Sequence, residues 1–251
     1  MANWQDPQTT GVNAATVGVP RAARDVGLRS YMLSVYNYMA SGVLLTGIVA
    51  MLFANSSLIN LIATVDGAGQ VHPTGLFYVA LFAPLAVVFV LSFGINRISA
   101  ATAQLLFWVY ATLIGVQMSS LFLVYTGVSI GQTFFAVAAA FLGLSVWGYT
   151  TKRDLSGWGS FLLMGVVGIF VALLLNMFMR SPTFNLAISA IGVLVFAGLT
   201  AYDTQKLKSI YFAVAGNGEA MAKTAVIGAL NLYLDFINMF LFLLRFMGSR
   251  R

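Results

Sequence analysis

Two aspartates inside long apolar segments are the residues best placed to do chemistry. Asp203 and Asp235 lie in the last two such segments of the chain. A carboxylate at the centre of a membrane-spanning helix costs about 2.5–3.5 kcal/mol on insertion scales, so the helix face that carries Asp235 should point into the bundle or into water. Asp203 lies about one turn from the cytoplasmic end of its segment. If the two segments form antiparallel helices, the carboxyl groups lie in the same half of the bundle and can meet. Two carboxylates in a dry site cannot readily both ionise, so they share a proton and respond to pH.

Other polar side chains accompany these two acids. Asn231, Asp235 and Asn238 stand at i, i+4 and i+7 and therefore share one helix face, and Thr200 precedes Asp203 by one helical turn. A helix that is polar on one stripe and apolar elsewhere belongs at the centre of a bundle. We therefore take Asn231, Asn238 and Thr200 as candidate pore-facing residues.

A simpler interpretation of the same residues stays open. Asp203 would then cap a helix end and pair with Lys206 or Lys208, while Asp235 would only hydrogen-bond a neighbouring helix. Arg97, in a short turn between the second and third apolar segments, has two interpretations as well. It is either a topology anchor or a cation that reaches both aspartates and locks the mouth of the bundle.

The composition excludes a soluble globule. Of the 251 residues, 60% are hydrophobic and only 8% are charged, whereas a soluble domain carries about 25% charged residues. The excess of basic residues lies between apolar runs, as topology signals do, so nucleic acid is not an expected partner. Cysteine is absent and His72 is the only histidine, which excludes disulfides, thiolate chemistry and Cys/His metal sites. No cofactor is expected. Only oxygen ligands remain, which suit hard cations, so Asp203 and Asp235 are candidate Ca²⁺ contacts.

Seven segments are long and apolar enough to cross a membrane, which predicts an all-α integral membrane protein with the last helix central. The predicted domains are a polar, mobile cytoplasmic tail (1–29), the transmembrane domain (30–247) and a short basic C-terminal end (248–251). The segments are approximately 31–54, 76–96, 100–125, 130–151, 158–179, 184–207 and 224–247.

The positive-inside rule places the N-terminus in the cytoplasm, because nine of the 13 basic residues then lie inside. Three basic residues near the C-terminus then lie outside, against the rule: Arg245, Arg250 and Arg251. A re-entrant last segment would return them to the cytoplasm, but we prefer seven full spans. The nine inside are Arg21, Arg24, Arg29, Arg97, Lys152, Arg153, Lys206, Lys208 and Lys223.

Three stretches carry a family resemblance. The last segment reads Gly-Ala-Leu-Asn-Leu-Tyr-Leu-Asp-Phe-Ile-Asn-Met-Phe-Leu-Phe-Leu-Leu-Arg over residues 228–245, residues 201–205 read Ala-Tyr-Asp-Thr-Gln, and residues 151–156 read Thr-Lys-Arg-Asp-Leu-Ser. In this order and position they closely resemble the Bax inhibitor-1 family. The resemblance covers about residues 30–247.

The resemblance implies a function as well as a fold. Bacterial members are seven-helix proteins of the inner membrane, with the last helix central, described as pH-sensitive channels that leak Ca²⁺. Their proton-sensing aspartate pair corresponds to Asp203 and Asp235, and an arginine that stabilises the closed form corresponds to Arg97. The stretch from Ser209 to Lys223 looks like a longer loop than compact members have.

A different class of function also stays open. The protein could be a non-transporting regulator of another membrane protein, such as a membrane-anchored quality-control protease. The polar tail is the feature that could bind such a partner. An enzyme is not expected. His72 lies in a loop and provides no base for an intramembrane serine protease, and the aspartates lack the glycine-containing motif of aspartyl intramembrane proteases. No lysine lies mid-membrane to hold retinal. The expected partners are the lipid bilayer and such a protease, and the oligomeric state is left undetermined.

Overall fold

Long helices joined by short turns make up the computed structural model, which describes residues 21–67 and 70–250. A 3₁₀ helix (Ser57–Leu61) and an antiparallel hairpin of β1 (Ala63–Val65) and β2 (Val71–Pro73) separate the first two helices. Within these residues the helices are α1 (Arg21–Ala54), α2 (Gly75–Gly94), α3 (Ala100–Ser119), α4 (Leu121–Val124), α5 (Gly127–Thr150), α6 (Trp158–Met179), α7 (Pro182–Val214) and α8 (Gly218–Met247).

The described part of the chain contains seven helical spans that are long and apolar enough to cross a membrane, with α3 and α4 together forming one of them. Each predicted segment corresponds to one of these spans. The prediction of an all-α membrane protein with seven transmembrane helices is therefore confirmed.

Side chains at the turns explain where several helices begin. Ser99, Thr126, Ser181 and Asn217 each accept a hydrogen bond from the backbone N–H three residues further on. This bond satisfies one of the donors that a helix N-terminus leaves unpaired. Between α7 and α8 the chain reverses at Gly216, whose φ of 101° is easily adopted only by glycine.

The two ends of the bundle can be told apart by their contacts. At the end where α1 begins, which we call the proximal end, Gly27 packs against the hydroxyl group of Tyr211 near the end of α7. At the opposite, distal end, the backbone N–H of Thr126 donates to Ser249 O at 3.1 Å, and Ser249 N donates to Ser129 Oγ at 2.9 Å. Helix α8 is continuous between the two ends, so the alternative of a re-entrant last segment is wrong.

Helix α8 is the most buried of these spans. It packs against α1, α3, α5 and α7, and 67% of its most apolar stretch is buried, against at most 39% in any other span. This burial favours the predicted central position. It also gives the polar face of α8 neighbours on several sides.

The N-terminal boundary differs from the prediction. Helix α1 begins at Arg21, so residues 21–29 are helical and not part of a polar tail. The remainder of the predicted mobile tail, residues 1–20, lies outside the described residues.

The predicted loop from Ser209 to Lys223 is wrong, because both flanking helices extend into it. Only three residues separate Val214 from Gly218. Apolar residues continue α7, and the Asn217 cap together with a Glu219–Lys223 pair at i, i+4 supports the first turns of α8. The polar residues that suggested a loop therefore belong to helix ends that extend beyond the apolar core.

The hairpin between α1 and α2 was not anticipated. Turn residues were expected around 66–69 and 72–73, and the structure places three-residue strands around them. His72 Nε2 lies 2.9 Å from Asp66 Oδ2 across the hairpin. Strands this short show no periodic hydrophobic pattern, which explains why they could not be recognised.

Candidate functional site

Helices α7 and α8 run antiparallel and pack more extensively than any other pair. Gly192 of α7 faces the ring of Phe242, and Gly228 of α8 faces the side chain of Leu207. At both positions the absence of a side chain lets the helices approach closely. These two contacts fix the register between the helices along their shared length.

Interpolation in this register places Asp235 opposite Thr200 and Asp203 opposite Asn231, about one turn nearer the proximal end. Asp235 is only 4% exposed, and its Oδ2 atom has no hydrogen-bond partner among the described residues. Asp203 is half-buried. The two aspartates singled out from the sequence thus lie on adjacent antiparallel helices, about one helical turn apart along the bundle.

Asp203 does not occupy a helix end. It lies three turns before Val214, the last residue of α7. Within the described residues neither lysine of the simpler interpretation forms an ion pair with it. The Nζ atom of Lys206 lies over the Tyr202 ring, 5.7 Å from its centroid. Lys206 is nevertheless near enough on the same helix for its positive charge to favour the ionised form of Asp203. Lys208 Nζ donates to Tyr149 O at 2.7 Å.

A cavity of about 450 Å³ with a mixed polar and apolar lining lies at the proximal end, and we call it the vestibule; neither aspartate lines it. Its walls come from α7, α8 and the α2–α3 turn. Asn231, the residue level with Asp203, is its deepest polar residue along α8. The other polar residues that line it are Asn96, Asn217, Glu219, Lys223 and Thr224.

The remaining predicted site residues lie elsewhere. Arg97 is exposed in the α2–α3 turn, and it forms no ion pair with any carboxylate of the described chain. Asn238 is half-buried, and its Nδ2 donates to Leu234 O of its own helix at 2.8 Å. Thr200 is fully buried and its hydroxyl donates to Phe196 O at 2.9 Å. Of the three candidate pore-facing residues, only Asn231 lines the vestibule.

Aromatic side chains pack on the distal side of Asp235, next to an apolar cavity of about 410 Å³ between α1, α3, α5 and α8. The rings of Phe196 and Phe242 stack between α7 and α8 with their centroids 5.8 Å apart. Phe236, the residue after Asp235, packs edge-on against Phe141 of α5.

A buried hydrogen-bond relay ties α8 to α1 and α3. Thr46 Oγ1 donates to Ala111 O at 2.9 Å and lies 2.6 Å from the hydroxyl oxygen of Tyr233. Since the Thr46 hydroxyl has a single hydrogen, Tyr233 must be the donor in the second bond. These residues were missed from the sequence, because a lone threonine and a lone tyrosine in apolar helices give no pairing signal.

The two shorter family-like stretches contact each other at the proximal end. Gln205 Oε1 accepts from Leu155 N at 2.7 Å, and Gln205 Nε2 donates to Arg153 O at 2.8 Å. In the same turn, Asp154 Oδ1 accepts from Ser156 N at 2.9 Å. Hydrogen bonds from the Ser156 side chain and backbone lower the pKa of the Asp154 carboxyl. The Gln205 contacts hold the α5–α6 turn against α7, two residues from Asp203.

These features define a seven-span membrane protein with an aspartate on each of its last two helices, one of them deeply buried. A family model described as inhibitor of apoptosis-promoting Bax1 matches residues 28–251. The chain belongs to this family, the Bax inhibitor-1 family.

Bacterial relatives match over nearly their whole length. The chain is 47% identical over 230 residues to an uncharacterised protein of Rickettsia prowazekii, covering 90% of this chain and 92% of the relative. It is 46% identical over 234 residues to the inner membrane protein YbhL of Escherichia coli, covering 92% and 95%. An uncharacterised protein of Caulobacter vibrioides is 45% identical over 230 residues, covering 90% and 91%. Together with the seven spans, these relatives support a multi-pass inner membrane protein.

Proposed function

We propose that this protein is a pH-sensitive leak pathway for cations, including Ca²⁺, in which Asp203 and Asp235 form the switch. One observation carries the proposal: a deeply buried carboxyl group on α8 has an unpaired oxygen, a second carboxyl group lies about one turn away along the adjacent helix α7, and the vestibule lies on the proximal side of both. The proposal assigns no catalytic residue and no cofactor. With the predicted topology the vestibule opens to the cytoplasm.

The physical basis of the switch is the cost of charge in a dry site. An ionised carboxylate without hydrogen-bond donors loses its hydration at a cost of several kcal/mol. With one proton shared by the pair, the site carries a single negative charge and the closed packing is tolerated. With both groups ionised, repulsion adds to the lost hydration, and separation of α7 and α8 with entry of water or a cation relieves both. Flux should therefore rise as pH rises.

Neighbouring cations do not cancel this effect in the observed conformation. Lys206 acts on Asp203 from the same helix but forms no ion pair with it. Arg97, the cation that the resemblance suggests as a lock, is exposed and makes no ion pair within the described chain. In this proposal the aromatic side chains beyond Asp235 close the pathway, without help from an arginine.

The candidate ligands for a permeant cation are oxygen atoms. Carboxylate oxygens of Asp203 and Asp235 and the amide oxygen of Asn231 belong to the ligand type that Ca²⁺ prefers. No three acidic or histidine side chains converge anywhere in residues 21–67 and 70–250. Backbone carbonyls and water would complete the coordination, which fits brief contact during passage better than tight storage.

Calcium flux in proteoliposomes tests the proposal. The purified full chain is reconstituted, and efflux is followed from mildly acidic to mildly alkaline pH. We expect Asp235→Asn and the double variant with Asp203→Asn to lose the pH response. Asp154→Asn is the matched control, because Asp154 is exposed at the same end, and an asparagine oxygen can still accept the bond from Ser156 N.

The outcome also separates the second class of function. Wild-type protein that conducts no Ca²⁺ at any pH, or Asn variants that keep the full pH response, would overturn the leak proposal. A role as regulator of a membrane-anchored protease would then be the function to test, by capture of that protease with and without the N-terminal tail.

A further inference from the structure

Lys223 is a largely buried cation in the wall of the vestibule. Its side chain is only 19% exposed, and its Nζ lies 3.0 Å from Oε1 of Glu219, which is 62% exposed. These two are the charged side chains among the described residues that line the vestibule. A cation that enters the vestibule meets both of them.

Helix stability does not account for this arrangement. A glutamate four residues before a lysine is a common pair on exposed helix surfaces, where it contributes little because both groups stay hydrated. Lys223 instead gives up most of its hydration and points into a cavity. A buried ammonium needs a nearby carboxylate, and Glu219 supplies it.

The pair makes the entrance electrically neutral. Glu219 alone would attract cations, and amide and hydroxyl oxygens of Asn217, Thr224 and Asn231 lie along the same wall to assist. The ammonium of Lys223 cancels that attraction. The ammonium group forms an ion pair with the Glu219 carboxylate, which an entering cation would otherwise contact first.

We propose that Lys223 is a built-in competitor of the permeant cation, which holds Glu219 and thereby limits how fast divalent cations enter the vestibule. This inference rests on the proposed leak function. It concerns the amount of flux, whereas the aspartate pair determines the response to pH.

Opposite effects of the two partners distinguish this role from a structural one. Lys223→Gln leaves Glu219 free to attract Ca²⁺ and should raise flux, whereas Glu219→Gln leaves an unpaired ammonium and should lower it. A unit charge about 8 Å from a divalent ion changes the local ion concentration about fivefold even in the dielectric of water. We therefore expect changes of about fivefold in each direction, at an unchanged pH midpoint. Loss of a merely structural pair would move both variants in the same direction.

Calcium efflux from proteoliposomes at low and high ionic strength provides the measurement. An effect of charge through solvent should shrink at high salt, because screening shortens its range. Lys152→Gln is the matched control, since Lys152 is an exposed lysine at the same end of the bundle and does not line the vestibule. Lys223→Arg keeps the charge and should keep the flux near the wild-type value.

The results separate this inference from the leak function. Suppose that the wild type shows pH-dependent flux. If the Lys223→Gln and Glu219→Gln variants then match Lys152→Gln, or change flux in the same direction, the inference is overturned and the leak function stands. Absence of flux in the wild type overturns the leak function itself. If Lys223→Gln does not elute as a folded protein, Lys223→Met repeats the test with a side chain of similar length.

Discussion

Substitution of Gly148 by alanine should force α5 and α7 apart beside the acidic pair. A methyl group at Gly148 would lie 2.4 Å from Ala201 O and 2.9 Å from Ala201 Cα, whereas ordinary contact begins at 3.4 Å. The obstacle is backbone and cannot rotate away, so the helices must separate by about 1 Å. Overpacking of this kind lowers the free energy of unfolding by about 1–3 kcal/mol. Because the obstacle is backbone, we expect Gly148→Ala to lie at the upper end of that range.

Gly143 of α5 provides the matched control, because a methyl group there meets no atom within 4 Å. Both substitutions gain helix propensity, about 1 kcal/mol. The net expectation for Gly148→Ala is therefore a loss of about 2 kcal/mol, and for Gly143→Ala a small gain.

Thermal unfolding of the detergent-purified chain measures the difference. With about 2–4 °C per kcal/mol for a chain of this size, Gly148→Ala should lower the Tm by about 4–8 °C, and Gly143→Ala should leave it equal or slightly higher. Equal shifts in the two variants would show that α5 and α7 do not make the backbone contact described here.

Two further predictions concern hydrogen bonds. Thr46→Val should lower the free energy of unfolding by about 1–2 kcal/mol, because it leaves the buried hydroxyl of Tyr233 without an acceptor. Tyr233→Phe should lower it by less, since Thr46 keeps its bond to Ala111 O. A Tm for Tyr233→Phe below that of Thr46→Val would contradict the donor assignment. Ser156→Ala should raise the pKa of Asp154 towards its ordinary value, since it removes the side-chain bond that favours the ionised form. With the pKa lowered in the folded protein, any stabilisation is present above the unfolded pKa and is lost as pH falls through the folded one. An NMR titration of the Asp154 carboxyl carbon in both proteins checks the shift, and identical midpoints would refute it.

The spans, and the placement of the two aspartates on adjacent helices, could be predicted because both follow from strong physical constraints. Runs of about 20 apolar residues have few alternatives to a spanning helix. Asp203 and Asp235 lie on consecutive antiparallel helices, so both fall in the same part of the bundle, about one helical turn apart. The cost of burying charge then directs both side chains inward.

Contacts between distant segments could not be predicted in the same way. The bond between Thr46 and Tyr233 depends on which helices become neighbours, and single polar residues do not encode that choice. The vestibule forms because Asn96 from one turn and Glu219 from another reach the same end of the bundle. The loop predicted from Ser209 to Lys223 failed for a related reason, since charged residues continue a helix when they pair at i, i+4.

The protonation state of the acidic pair tests the central claim most directly. Infrared difference spectroscopy of the reconstituted full chain detects the carbonyl stretch of a protonated carboxylic acid as pH is raised. The account predicts such a band at neutral pH, its absence in Asp235→Asn, and its disappearance over the same pH range in which Ca²⁺ flux rises. A wild type without the band at neutral pH, or an unchanged band in the Asp203→Asn/Asp235→Asn double variant, would contradict it.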